Sequence, residues 1–67
     1  MYTFQEANQA RIALKMKLCN YYWYNSCDVI PFEDKYYIGV STKFFTLKVK
    51  NKVPSFIKGF QVKVFSD

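Results

Sequence analysis

Histidine is absent from this 67-residue chain, arginine occurs once, and glycine, proline and cysteine occur twice each. Without histidine there is no side chain that titrates naturally near neutral pH, and no Ser–His or Cys–His nucleophile pair. Cys19 and Cys27 alone do not make a zinc site, and the isolated glycines, Gly39 and Gly59, form no phosphate-cradling loop. Acidic residues number five. Glu6 lies in a helix-start signal, Glu33-Asp34 in a turn signal and Asp67 at the last position, which leaves Asp28 alone within a strand-like stretch. Catalysis is therefore not expected, and neither a cofactor, a metal nor a small-molecule substrate is implied. Long apolar runs are missing too: nothing approaches the roughly 20 residues that span a bilayer. The start, "MYTFQEANQA", has no basic region followed by an apolar stretch, as a signal peptide would. No membrane association is expected, and cytoplasmic residence with reduced thiols follows as the default. A Cys19–Cys27 disulfide remains the alternative for an exported protein.

What the chain does have is apolar and aromatic mass, at 51% hydrophobic and 21% aromatic residues. Each large ring buries about 150–250 Å², so a chain near the lower size limit for independent folding can still build a core. One domain, residues 1–67, is expected. The net charge is +5, and it is unevenly placed. Arg11, Lys15 and Lys17 face Glu6 and Asp28 in the first half, whereas seven lysines face Glu33, Asp34 and Asp67 in the second.

The N-terminal helix carries the plainest signal. Thr3 and Glu6 form a Thr-x-x-Glu capping box, followed by "QEANQARIALKMKL", which holds neither Gly nor Pro. At 100° per residue Phe4, Ala7, Leu14, Leu18 and Tyr21 share a face, with Ala10 at its margin. Nearly opposite, Ile12, Met16 and Cys19 make a second stripe at i, i+4, i+7. Those three are either ordinary exposed apolar groups or a surface for a partner or a second copy.

Further on the period changes from 3.6 to 2. "WYNSCDVIPF" reads as a strand, with Pro31 marking its end, a bulge or a sheet edge, and "EDK" as a short turn. In "YYIGV" the inward set is Tyr36, Ile38 and Val40; in "FFTLKVK" it is Phe45, Leu47 and Val49. One straight strand cannot hold both parities, so a turn at Ser41-Thr42-Lys43 is expected between two strands. Pro54 suits the start of a short helical turn and Gly59 its end. "FQVKV" then turns Phe60, Val62 and Val64 inward. The expected fold class is α+β: one N-terminal helix on a mainly antiparallel sheet of three to four strands.

Two surfaces follow from these parities. A protein interface is expected at Ile12, Met16 and Cys19, or around Trp23 and Tyr24 in "NYYWYNSC", where alternation sends one ring inward and leaves the other as a contact. A nucleic-acid face is the alternative. It would use Tyr37, Lys48 and Lys63 on the uncovered side of the sheet with Lys43 and Lys50 near its rim, lysines following phosphates beside a ring for stacking. Outward lysines also simply keep strand faces solvated, and a single arginine is a poor complement for reading bases. From "DKYYIGVSTKFFTLKVK" to "VPSFIKGFQVKV", through Gly39-Val40, Pro54, Ile57, Gly59, Val62 and Val64, the chain resembles small uncharacterised bacterial α+β domains. In these a helix precedes a Gly-Val strand. The resemblance implies a fold and brings no catalytic or binding residues, while the abundance of Lys, Asn, Tyr, Phe and Ile suits an AT-rich bacterial or phage genome. The function expected is that of a small non-enzymatic interaction module that binds a protein partner or itself. A nucleic-acid-binding accessory protein is the alternative.

Overall fold

The computed structural model describes residues 3–66; Met1, Tyr2 and Asp67 of the expected domain lie outside the described residues. Along the chain run α1 (Phe4–Leu18), β1 (Tyr24–Phe32), β2 (Lys35–Thr42), α2 (Leu47–Lys52), β3 (Phe56–Ile57) and β4 (Phe60–Ser66). The strands form one sheet in the order β1-β2-β4-β3. β1–β2 and β3–β4 pair antiparallel and β2–β4 parallel. The α+β expectation therefore holds, with a mixed sheet and a second, short helix added.

The capping box starts α1 as its sequence implies. The Thr3 amide donates to Glu6 Oε1 at 3.0 Å, and the Glu6 amide donates to Thr3 Oγ1 at 3.2 Å. Ala7, Ala10, Leu14 and Leu18 are buried against the sheet. The two alanines keep the helix close, and each fully buried leucine contributes about 2 kcal/mol of transfer free energy. Phe4 reaches only the margin, edge-on to Tyr36 at 6.0 Å between ring centroids. Tyr21 continues the inward face past the helix end and stacks on Trp23 at 4.8 Å. Among the described residues no helix is long and apolar enough to cross a membrane.

In β2 and β4 the expected parities stand. Ile38, Val40 and Phe60 are buried, Tyr36, Val62 and Val64 pack against them, and Gln61 and Lys63 are exposed. Thr42 ends the inward row of β2, fully buried, its Oγ1 donating to the Phe44 carbonyl at 2.8 Å. The β1–β2 register slips between Tyr24 and Ser26. A bulge of this kind adds a residue to one strand, so Tyr24 and Cys27, three positions apart, both face the core. β1 is an edge strand that contains Pro31, and the opposite edge strand, β3, is two residues long.

"FFTLKVK" is not a strand, and that expectation is corrected. Thr46 caps α2 by accepting from the Val49 amide, and Val49 and Val53, four apart, enter the core while Leu47 lies exposed. The reason lies in the topology. A parallel β2–β4 pair needs a crossover that leaves the sheet, and α2 occupies it. Pro54 accordingly follows a helix instead of starting one. Gly59 belongs to the two-residue β3–β4 loop, with Lys58 at φ 50° and Gly59 at φ 88°. Positive φ at both central positions is the type I′ hairpin geometry, in which glycine carries no Cβ penalty.

Candidate interaction surface

Directly paired strand residues share a face of the sheet. Both helices enter the core through the side that bears Ile38 and Val40. Among the described residues no helix lies over the other side, described through the register. That side carries Asp28, Ile30 and Phe32 from β1, Lys35, Tyr37, Gly39 and Ser41 from β2, and Lys63 and Phe65 from β4. Phe32 and Phe65 are 55% and 51% exposed. At the centre Gly39 is buried beneath its neighbours: a Cβ built there would lie 2.5 Å from Ile30 Cδ1 and 3.3 Å from Phe65 Cε2. Ile30 and Phe65 thus lean toward each other over a position with no side chain. Phe32 packs on Tyr37 at 6.1 Å between centroids, and Lys63 Nζ sits 4.2 Å from the centre of the Tyr37 ring. A groove of about 440 Å³, with Tyr37, Phe56 and Gln61 among its walls, opens beside this face.

The residues singled out from sequence are distributed differently from expectation. Ile12, Met16 and Cys19 are all exposed, Met16 at 74%, and make a narrow stripe on α1. Trp23, 5% exposed, belongs to the core, and Tyr24 packs against the core at the bulge. Neither is the aromatic contact that "NYYWYNSC" suggested. The exposed ring of that stretch is Tyr22, at 76%, tilted against Phe44. Of the five nucleic-acid candidates, Tyr37 and Lys63 share the open face, while Lys43 follows the end of β2. Lys48 and Lys50 ride on α2, away from that face, because the segment expected to be a strand is a helix packed on the core side through Val49. Ile30, Phe32 and Phe65 were missed. Phe65 continues the outward parity of Gln61 and Lys63. A two-residue turn at Glu33-Asp34 would have set Phe32 and Ile30 opposite Lys35 and Tyr37.

Both cysteines are free thiols, Cys19 exposed and Cys27 buried. Burial pushes the Cys27 thiol above its ordinary range. The Tyr24 phenol is also raised, first by burial and then by its side-chain hydrogen bond with Cys27. Both groups are thus held neutral, a packing arrangement and not a reactive one. No family model matches the chain, and no curated protein or solved structure matches it either.

Proposed function

We propose that this chain is a small, non-enzymatic protein-interaction module whose contact surface is the open face of the sheet. One observation carries the reading: Ile30 and Phe65 close over Gly39 with Phe32 and Tyr37 beside them, on the side away from both helices. A contiguous apolar patch rimmed by Asp28, Lys35 and Lys63 has the anatomy of a contact surface, with a desolvated centre and a polar border. The α1 stripe is the lesser candidate, because three side chains in one row offer little area.

Single-stranded nucleic acid on the same face is the weaker proposal. The Lys63 ammonium occupies a face of the Tyr37 ring, where a base would stack, and Asp28 adds a negative charge to the row. Lys48 and Lys50 belong to the helix layer.

Photo-crosslinking tests the main reading. A benzophenone amino acid replaces Phe32 or Phe65 and, for comparison, Met16 or Leu47, in the cells the protein comes from. Protein adducts from positions 32 and 65 are expected. Adducts from position 16 alone would move the surface to α1, and none from 32 and 65 would overturn the proposal.

A further inference from the structure

We propose that the partner is a second copy of this chain, seated face to face about a two-fold axis that runs along the strands above Gly39. The proposal rests on the reading of the open sheet face as the contact surface and adds what occupies it. A two-fold interface must be complementary to itself, and the row through Gly39 meets that condition. Asp28 on β1 pairs with Gly39 on β2, which pairs with Lys63 on β4. By backbone position the row therefore reads negative, neutral, positive, one strand to either side of the centre. The Lys63 side chain, which rests its ammonium over Tyr37, has to swing outward to meet Asp28 of the second copy.

Rotation about an axis along β2 exchanges the two ends. Asp28 of each copy then faces Lys63 of the other, twice. Rotation about an axis across the strands instead sets Asp28 on Asp28 and Lys63 on Lys63, and like charges directly opposed are strongly unfavourable. The charge layout thus selects one of the two aligned ways of stacking the sheets. Along the chosen axis lie Gly39, Tyr37 and, at the start of β2, the exposed Lys35, which meets its own counterpart. That is one like-charge contact against two opposite-charge ones, whereas the crossed axis makes two like-charge contacts and no attractive one. Ile30 and Phe65 flank the chosen axis diagonally and reach over the glycine from opposite sides, so the two copies bring four apolar side chains together at the centre.

Attraction comes mainly from that centre; exposed rim pairs contribute little affinity and set the register. Three strands at about 4.8 Å spacing form a narrow face. The contact therefore belongs to the class that buries less than about 1,200 Å² in total and associates transiently.

Sedimentation equilibrium of the full chain, from micromolar to millimolar concentration, tests this with four proteins: the parent, Asp28→Lys, Lys63→Asp and the double reversal. Both side chains are exposed, and circular dichroism establishes that each variant is folded. The parent is expected to dimerise with rising concentration. Each single reversal weakens the dimer by about tenfold or more, because it creates two like-charge contacts at once, and the double reversal restores it to within about threefold. Should a reversal unfold the chain, Asp28→Asn and Lys63→Gln replace it, and their combination should weaken the dimer no more than either alone.

A parent that stays monomeric at millimolar concentration overturns the proposal. If positions 32 and 65 still crosslink a different protein, the module reading stands without it; if they crosslink nothing, both fall. A dimer indifferent to either reversal uses another surface, and a double reversal no better than the singles refutes the pairing. A monomer that binds an oligonucleotide through this face also overturns it.

Discussion

Replacing Gly39 with alanine gives a direct measure of how the open face is packed. Gly39 lies in β2 outside the left-handed region, so alanine adopts its backbone without strain, and the smaller entropy of the unfolded chain favours the variant by about 0.4–1 kcal/mol. The new methyl, however, would meet Ile30 Cδ1 at 2.5 Å, with Ile30 Cγ1 and Phe65 Cε2 each at 3.3 Å, where carbon atoms rest at roughly 3.5–4.0 Å. Ile30 has to leave its rotamer well, at about 0.5–1.5 kcal/mol, and uncover a methyl group worth about 0.8 kcal/mol. The net expectation is a loss of about 1 kcal/mol, or a melting shift of about 4–8 °C for a domain of this size.

Ile30→Val removes the atom in closest conflict and, at a half-buried position, costs about 0.5 kcal/mol. In that background Gly39→Ala should be neutral or mildly stabilising, which gives a coupling of about 1 kcal/mol between the two sites. Urea titration followed by Trp23 fluorescence reads all four proteins, at one dilute concentration so that association does not contribute. Equal cost of Gly39→Ala in both backgrounds would refute the reasoning, because Ile30 would then not be resting on Gly39.

The β3–β4 loop makes an independent prediction. Lys58→Asn, which gives the Asn-Gly pair that type I′ turns favour, should raise stability by about 0.5 kcal/mol. Gly59→Ala, at φ 88°, should lower it by at least about 1 kcal/mol; thermal melts showing the reverse order would discard the turn assignment. The Tyr24–Cys27 pair predicts loss of stability in alkali. Both groups keep their protons in the folded state beyond their ordinary values of 9.0 for the thiol and 10.0 for the phenol. Above about pH 9 the native chain therefore binds more protons than the unfolded one. Stability is full below that pH and falls as pH rises, by at most about 1.4 kcal/mol per pH unit for each group. Tyr24→Phe should lessen the fall above pH 10; identical denaturant midpoints from pH 8 to 10.5 in the parent would contradict the burial of both groups.

Much of the fold was legible because its signals are local. Thr3 and Glu6 announce α1, Ala7 to Leu18 mark its inner face, and strict alternation orders β2 and β4. What escaped depends on contacts far apart in sequence. "FFTLKVK" has β-prone residues, and nothing local says that the next long strand will pair parallel to β2 and demand a crossover. With α2 a helix, Lys48 and Lys50 leave the sheet face to which strand parity had assigned them. Trp23 and Tyr24 escaped for a different reason: Trp23 lies in the turn ahead of β1, outside the strand alternation, and the bulge beside Asn25 brings Tyr24 inward as well. The open face itself was half legible: Tyr37 and Lys63 followed from parity, but Ile30 and Phe32 needed the register of the β1–β2 turn.

The ends of the sheet bear on what kind of assembly its face can make. A sheet recruits other chains either by its face or by its rim, and recruitment by the rim repeats without limit because every added strand presents a new rim. Here one rim is bent by the bulge and holds Pro31, which has no amide hydrogen to donate; the other presents a strand of only two residues. β3 covers only Phe60 and Gln61 of β4, so open-ended growth is obstructed chiefly along β1 while the apolar face stays free. The proposed face-to-face pair would consume that face in a single event, so association would stop at a finite complex instead of continuing into a fibre.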